Sequence, residues 1–535
     1  MNGLEYQTEL VLGLLAIMVV LVTLARRLEL PYPILLVVGG LALSLMPNLP
    51  RIHLAPEIVF LLFLPPLLYE ESYFTSWRDL RANLRPISLL AFGLVLVTTA
   101  LVGVVAHWAI PALSWPVAFV LGAVVAPTDE AAVMPVIERL GVPRRVATII
   151  SDESLVNDAV SLVIYRMAAA AVVSGSFSLM QAGSQFLLVS AGGVAIGLAF
   201  GWLIARLMRK IDDPPVEITV SLLIPFVTYL AAEKLGASGV LAVVALGIYM
   251  GRQGSLVRTP QTRVEARAFW QTLVFLLNGL LFLLVGLQLR SVLDTLSSIP
   301  LWVQVGNALL ISLTCVLVRI AWVFASVYAP RALSRKLRKH DPAPSWQNVM
   351  IIAWTGIRGG LSLAAALAIP LTLGSGTPFP QREQIIFLTY TVILTTLVLQ
   401  GLTLPFLIRY LRVKRDGSRA QEENTARLTA TKAALSRLEA LSGEDWVPSG
   451  VAGHLREHYM EKLRLLEGRE DGSADSAFEE KTAAYSRLQQ ALLAAEHKTV
   501  VRLRDEGVIE DEVLHVIERD LDLERIRLKT REEGD

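Results

Sequence analysis

The sequence predicts an all-α membrane protein of about thirteen transmembrane helices, followed by a helical tail. Its 535 residues are 53% hydrophobic and 18% charged, with a mean hydropathy of +0.53, which is too apolar for an ordinary soluble globule. Apolar stretches long enough to cross a bilayer core of about 30 Å recur as far as Tyr410. Beyond about Arg412 the composition switches to Glu, Arg, Lys and Ala with helical leucine spacing.

The predicted spans follow one another with short connections. They cover residues 10–25, 33–46, 58–68, 87–108, 117–140, 146–173, 186–207, 218–232, 240–250, 269–289, 301–328, 348–371 and 385–410. Pro65, Pro127 and Gly356 interrupt three of these spans. Lipid tolerates an interrupted helix only where the loosened backbone faces protein or a water-filled cavity. Some of these helices must therefore be buried in a bundle.

Basic residues give the predicted orientation. Loops after odd-numbered spans carry clusters such as Arg26 with Arg27 and Arg144 with Arg145, whereas loops after even-numbered spans carry few. Because Lys and Arg in short loops concentrate on the cytoplasmic side, we expect the N-terminus outside and the C-terminus in the cytoplasm. The domain prediction is a transmembrane domain at 1–411 and a cytoplasmic helical domain at 412–535.

Charge and cysteine content narrow the function classes. The net charge of +1 comes from charges segregated into loops and the tail, so nucleic-acid binding has no support. The single cysteine, Cys315, has no intrachain partner for a disulfide and cannot form a cysteine metal site. We expect neither enzymatic activity nor a resident cofactor.

The sixth span carries a polar stripe. An ionisable residue at the centre of a membrane helix costs about 2.5 to 3.5 kcal/mol, which makes each one a functional candidate. Asp158 lies near the middle of the span, Ser154 lies one turn before it on the same face, and Asn157 and Glu153 continue the stripe. Carboxylate, hydroxyl and amide oxygens suit a hard alkali cation, and the carboxylate can instead hold a proton. The alternative is a polar cluster that only packs helices.

The fifth span contains the sequence A-P-T-D-E-A-A-V at 126–133. Pro127 removes a backbone donor and disfavours helix at the preceding residue, so the helix should unwind there. Freed carbonyls around Thr128 could then face a cation. Asp129 is expected at the start of a second half-helix, where its charge complements the helix dipole; a simple N-cap without function is the alternative.

The twelfth span contains W-T-G-I-R-G-G-L-S-L at 354–363, a glycine-broken helix around Arg358. Breaks in the fifth and twelfth spans fit two six-helix inverted repeats separated by one linker helix, and paired breaks of this kind indicate a transporter site. Arg319 in the eleventh span is another buried cation, for which Glu153 is the best partner. Arg166, two turns beyond Asp158, is expected to snorkel outward or to pair locally.

These motifs resemble the electroneutral sodium/proton exchanger family of monovalent cation:proton antiporters, in its bacterial form. The resemblance rests on P-T-D, E-S-L-V-N-D and G-I-R-G-G-L-S-L, with support from F-L-P-P-L-L-Y-E, A-S-G-V-L-A-V-V and L-Q-G-L-T-L. It implies exchange of sodium, with lithium or potassium as alternatives, for protons across a bacterial inner (plasma) membrane, serving pH and sodium homeostasis. It also implies a homodimer in membrane lipid whose two unwound helices cross beside the Asn-Asp pair.

The resemblance also implies roles for the site residues. Asp158 would carry the cation and the proton. Ser154 and the Thr128 backbone would be ligands, and Glu153 would be bridged to Arg319 or act through water.

Three further residues would structure the site under the same resemblance. Asn157 and Asp129 would hold the crossed half-helices, and Arg358 would balance charge near the crossing.

The sequence departs from the family pattern at Glu130, where Pro is frequent, and at Asp152, where Gly is frequent. The Asn-Asp pair resembles the branch that moves one cation per proton.

The sequence is also compatible with other functions. A potassium/proton antiporter, a cation channel or a cation symporter could also use a midplane carboxylate, although the sequence has no repeated carbonyl filter. An intramembrane serine protease is suggested by G-A-S-G at 236–239. Ser238 would need a base, and His107 is the only histidine in a predicted span.

Overall fold

The computed structural model of the chain describes residues 3–46, 59–175, 178–257, 259–294, 300–335, 339, 341–373, 377–413, 418–444, 446–470 and 476–533. The chain divides into two compact units, Met1–Asp416 and Gly417–Asp535. Across the described residues the regular structure is helical, with one isolated bridge between Thr372 and Pro378 and no β-strand. The predicted all-α fold class is confirmed.

The first unit is a bundle of helices numbered here in chain order. They are α1 (Gly3–Arg27), α2 (Tyr32–Ser44), α3 (Leu64–Phe74), α4 (Trp77–Ala82), α5 (Leu84–Ser88), α6 (Val95–Ala109), α7 (Trp115–Val125), α8 (Met134–Leu140), α9 (Arg144–Ser174), α10 (Leu179–Met208), α11 (Pro214–Lys234), α12 (Gly239–Val257), α13 (Pro260–Leu287), α14 (Leu289–Asp294), α15 (Leu301–Leu333), α16 (Trp346–Trp354), α17 (Gly360–Leu367) and α18 (Arg382–Tyr410). Two π-helical segments, Val59–Phe63 and Leu89–Leu94, lead into α3 and α6.

Eight of the described helices are long and apolar enough to cross a membrane, judged by length and composition. Three shorter apolar helices accompany them, Tyr32–Ser44, Trp115–Val125 and Gly239–Gly254. Residue 58, where the third predicted span begins, lies outside the described residues. The count of thirteen spans stays a prediction, and this set of helices is compatible with it.

The membrane unit contains two groups of helices that pack mainly among themselves. In one group α1, α2 and α3 pack with α10 to α13, and in the other α6 to α9 pack with α15 to α18. Contacts between the groups are sparser, and many of those that exist involve α9. The long helix α9 ends at Gly175, whose φ of 68° is a left-handed conformation that favours glycine at a helix C-terminus.

The second unit consists of α19 (Ser418–Leu441), α20 (Ser449–Glu470), α21 (Ser476–Asp505) and α22 (Asp511–Glu533). Leu493, Leu521 and Leu528 form a small apolar cluster between α21 and α22. The Asn424 side chain donates a hydrogen bond to the Leu466 carbonyl and ties α19 to α20. The boundary at residue 412 and the cytoplasmic location of this unit stay predictions.

Candidate functional site

The polar stripe of α9 is bound to the break between α7 and α8. Ser154 Oγ donates to the Thr128 carbonyl at 2.7 Å, and Asn157 Nδ2 donates to Thr128 Oγ1 at 2.8 Å. All three residues are buried. The structure therefore brings together the predicted ligands Ser154, Asn157 and Thr128, because the unwound backbone at Thr128 exposes a carbonyl that a continuous helix would have used internally.

The fifth span is unwound from Ala126 to Val133, as its sequence predicts. The second half-helix starts at Met134 with Pro135 in its first turn, where a proline fits without losing a needed hydrogen bond. The expectation that Asp129 begins this half-helix is therefore wrong. Asp129 lies inside the break, where its Oδ1 accepts the Ala131 N–H at 2.9 Å.

The two helix breaks meet directly. The Asp129 N–H donates to the Ile357 carbonyl at 2.7 Å, within the unwound residues between α16 and α17. The Asp129 carboxylate lies against Gly359 and accepts the N–H of Gly360, the first residue of α17. Asp129 thus places its negative charge at the N-terminus of the half-helix in the other repeat, where the helix dipole favours an anion.

Arg358 makes the complementary contact. Its Nε donates to the carbonyl of Val125, the last residue of α7, at 3.0 Å, and its Nη1 donates to the Gly356 carbonyl. A cation at a helix C-terminus is favoured by the dipole. The Arg358 backbone N–H is held by Thr396 Oγ1 of α18 at 3.2 Å. Each break therefore supplies the charge that stabilises a half-helix end of the other.

Glu153 and Arg319 form a buried ion pair. Arg319 Nη1 and Nη2 lie 2.5 and 2.9 Å from the two carboxylate oxygens of Glu153, and both side chains are 1% exposed. Arg319 also donates to the Ile352 carbonyl near the end of α16. The predicted pairing of these two residues is confirmed. Because Arg319 occupies both Glu153 oxygens, the charge of Glu153 is balanced before any cargo arrives.

Asp158 has a different environment. Its side chain is partly exposed, and the charged groups that interact with it, Asp129, Glu130 and Glu71, are also acidic. None of the residues that the structure describes gives its carboxylate a basic partner. An uncompensated carboxylate among other acids attracts a cation or a proton, and the attraction is strong where water is scarce.

Glu71 is a site residue that the sequence reasoning missed. It lies near the end of α3, beside the Glu130 carboxyl group, and lies close enough to Asp158 to interact electrostatically. Glu70 precedes it. Two consecutive glutamates at the end of an apolar span were the signal that could have found it, since membrane acids are functional candidates by default.

The two departures from the family pattern also lie near the site. Glu130 lies beside the side chains of Ser151 and Glu71. Asp152 is 4% exposed, and one of its carboxylate oxygens has no hydrogen-bond partner among the described residues. With Glu71, these two residues add three acids to the predicted Asp158, Glu153 and Asp129.

Arg166 pairs with a different helix. Its Nη2 lies 2.9 Å from Glu233 Oε1, near the end of α11. The expectation of a local partner is corrected by this contact, which joins the two helix groups, and snorkelling toward the outer surface stays a prediction.

The candidate protease residues have structural partners. Ser238 is buried, and its Oγ accepts the Leu241 N–H at 3.3 Å in the first turn of α12. His107 Nδ1 lies 2.6 Å from the Leu113 carbonyl, and its ring stacks on Trp115. Both side chains stabilise local structure, which weakens the protease hypothesis.

Comparisons with known proteins identify relatives of this chain. An uncharacterized Na+/H+ exchanger of Mycobacterium bovis is 36% identical to this chain over 98% of this chain and 97% of its own length. A sodium, potassium, lithium and rubidium/H+ antiporter of Bacillus pumilus is 34% identical over 82% of this chain and 66% of its own length.

The fold also matches a solved structure. The sodium proton antiporter MjNhaP1 of Methanocaldococcus jannaschii aligns with a TM-score of 0.61 at 20% identity, over 76% of this chain and 99% of its own. The sequence model of the family described as "Sodium/hydrogen exchanger, transmembrane" matches residues 13–410. The chain therefore belongs to the transmembrane sodium/hydrogen exchanger family.

Proposed function

We propose that the protein exchanges a monovalent cation, sodium first, for protons across a bacterial plasma membrane, and that Asp158 carries the two in turn. The observation that carries this proposal is the Asp158 carboxylate, which is partly exposed and has acids rather than bases around it. The same carboxylate can hold either a proton or an alkali cation. Binding of one cargo excludes the other, and this competition couples the two fluxes.

The ligands of the cation are proposed from the same geometry. The Thr128 carbonyl and Ser154 Oγ lie 2.7 Å apart in the wall of the site and offer two neutral oxygens beside Asp158. Asn157 holds the Thr128 side chain in place. Glu153 is neutralised by Arg319, so we give it a structural role and assign cargo binding to Asp158. Exchange of one cation per proton is proposed because one carboxylate binds the two cargoes in turn.

Potassium is the second candidate cargo. The Bacillus pumilus relative is named for sodium, potassium, lithium and rubidium, and the acids Glu71, Glu130 and Asp152 are not part of the motif from which sodium was expected. A broader cation range is therefore the alternative to sodium selectivity. A homodimer is proposed by analogy with the family, as is a role in pH and sodium homeostasis.

The test uses the purified full-length protein in proteoliposomes with an internal pH dye. Sodium added outside should drive proton efflux when the membrane potential is clamped at zero, and the same assay with lithium and potassium gives the cation range. Asp158→Asn should abolish the flux because an amide neither titrates nor binds a cation by charge. Glu265→Gln is the matched control, since this exposed glutamate is held by Gln261 of its own helix.

The pH profile tests the competition itself. A site that must release a proton to bind a cation fails when it is always protonated and when it is never protonated, so activity should be bell-shaped in pH. Higher sodium should move the acid limb to lower pH by mass action. An acid limb that stays in place over a hundredfold change in sodium would contradict direct competition at one carboxylate.

A further inference from the structure

The contact between Arg166 and Glu233 lies on the C-terminal side of the candidate cation site. Arg166 follows Asp158 by eight residues on α9, which places it about 12 Å along the helix axis at 1.5 Å per residue. Under the predicted topology this end of α9 faces outward. Glu233 lies near the end of α11, in the other helix group. The ion pair therefore crosses the boundary between the two helix groups, where contacts are few, at the outer end of α9.

Glu233 is fixed in position by a second bond. Its Oε1 accepts the Arg166 guanidinium at 2.9 Å and the Gly239 N–H, at the start of α12, at 3.0 Å. Tyr229, one turn earlier on α11, is buried and hydrogen-bonds to Arg166. A β-carbon at Gly239 would lie 2.7 Å from the Tyr229 ring, so these groups are closely packed. The second hydrogen bond and the close packing hold the Glu233 carboxylate where Arg166 binds it.

The opposite end of the bundle also has an ion pair between the groups. There Arg139, at the end of α8, lies 3.8 Å from the Glu29 carboxylate, with side-chain exposures of 41% and 73%, and donates a hydrogen bond to the Glu29 carbonyl at 3.1 Å. Arg166 and Glu233 are 45% and 28% exposed. Of these two ion pairs between the groups, the one beyond Asp158 is the shorter and has the more buried acid.

We propose that Arg166 and Glu233 form a latch that closes the outer end of the site and must break in each transport cycle. This inference rests on the proposed function, because alternating exposure of a central site requires one group of helices to move against the other. A half-exposed ion pair contributes little to overall stability. It can still shift the balance between two conformations that differ little in free energy.

Cross-linking tests whether the latch must open. In the variant Arg166→Cys with Glu233→Cys, a bifunctional methanethiosulfonate should arrest sodium-driven proton flux, and a reducing agent should restore it. In each single-cysteine variant the reagent should leave the flux at the level that the same variant has without it. The only native thiol, Cys315, is buried and gives little background. Full flux in a protein shown by mass spectrometry to be cross-linked would overturn the proposal.

A matched cross-link controls for the reagent. Arg331 and Asp341 also form an ion pair, at 2.5 Å, but they lie ten residues apart around a single connection within one helix group. Cross-linking Arg331→Cys with Asp341→Cys should leave the flux unchanged. Loss of flux in both doubly substituted proteins would show that cross-linking itself arrests transport, and the latch assignment would fall.

Deuterium uptake gives a readout that does not depend on exchange. Arg166→Gln breaks the latch but leaves the Glu233 bond to Gly239, so uptake should rise about two- to fivefold in peptides covering residues 160–174, the size expected for a half-exposed ion pair. Glu265→Gln should leave that uptake unchanged. Unchanged uptake in Arg166→Gln would sink the latch even if the wild type exchanges cations. Raised uptake in a protein without sodium-driven flux would keep the latch and overturn the proposed function.

Discussion

The two helix breaks occupy corresponding positions in the chain but contribute different groups to the site. The break between α7 and α8 presents oxygen-bearing side chains, Thr128, Asp129 and Glu130. The break between α16 and α17 presents a glycine-rich backbone, the Thr355 hydroxyl, which donates to the Ile352 carbonyl, and one cation, Arg358, whose charge is turned toward the end of α7. We therefore propose that the first break binds the cation and that the second holds the first in place.

This difference explains how two unwound segments persist inside an apolar bundle. Unsatisfied backbone groups are costly in lipid, and each break leaves helix ends without partners. Asp129 serves the start of α17 and Arg358 serves the end of α7. At the crossing, Asp129 of the first break places a negative charge at the start of α17, and Arg358 of the second break places a positive charge at the end of α7. Each break therefore stabilises a helix end that belongs to the other.

The largest effect is expected from filling the space at Gly359, which allows the two helix breaks to approach each other. Gly359 has a φ of −129°, which any residue can adopt, so alanine there brings no backbone strain. Its β-carbon would, however, overlap the Asp129 carboxylate. Gly359→Ala should displace Asp129, abolish sodium-driven flux and lower the melting temperature in detergent.

Gly306 gives the matched control for this substitution. It lies in α15 with open space where a β-carbon would be, so Gly306→Ala should keep both flux and melting temperature. Wild-type flux in Gly359→Ala would mean that the close approach of Asp129 to the second break is not required for transport.

The next largest effect is expected from breaking the ion pair between Glu153 and Arg319, which connects the surroundings of the two breaks. Glu153 is on α9 beside the first break, and Arg319 also binds the Ile352 carbonyl near the second. Breaking a buried pair by removing one partner costs about 3 to 5 kcal/mol, whereas replacing both is frequently near neutral. Glu153→Gln and Arg319→Gln should each lower the melting temperature, and the double variant should recover much of the loss.

Additivity is the outcome that would reject this coupling. Residues in contact show an interaction free energy in a double-mutant cycle, whereas independent residues simply add. If the two losses add, the pair does not stabilise the fold as a unit, and the same cycle between Glu153 and Arg358 would be the next to run.

The elements of this site that the sequence predicts are those determined locally, together with one distant pair for which few partners were available. Pro127 predicts the unwinding of the fifth span because a missing N–H and a clash with the preceding turn act within a few residues. The pairing of Glu153 with Arg319 was also predictable, since two opposite charges in apolar spans are too costly to leave separate.

The elements that escaped prediction depend on how distant segments meet. Asp129 was expected to serve its own half-helix, and it serves the start of α17 because the breaks cross, which no local pattern encodes. Glu71 is brought to Glu130 by the packing of α3 near the first break. The partner of Arg166 is 67 positions away, at the end of α11. Sequence spacing alone cannot rank such contacts.

A smaller effect should come from the ligand side of the first break. Thr128→Val keeps the shape of the side chain but removes the Oγ1 that holds Asn157 Nδ2 at 2.8 Å. An unpaired buried amide costs about 1 to 3 kcal/mol, so the sodium concentration for half-maximal flux should rise about tenfold. Thr128→Ser retains the hydroxyl and should stay near wild type. Equal affinity in the valine and serine variants would show that this hydrogen bond does not position the site.

The smallest effect is expected from removing the second unit, which bears neither break. The site side chains and the partners described for them lie at or before Thr396, and the membrane unit forms a compact body of its own. A chain ending at Val413 should therefore insert and exchange sodium for protons within about twofold of the full-length rate, since changes away from such contacts usually stay within about 0.5 kcal/mol.

The pH at half-maximal flux and the stability of the dimer are the quantities through which a regulatory role of the tail would appear. The measurement is the proteoliposome assay over a pH series, with the amount of inserted protein matched by quantitative gel. Loss of all flux in a correctly inserted truncation would mean that the two breaks are not sufficient for exchange, and the comparison between them would have to include the tail.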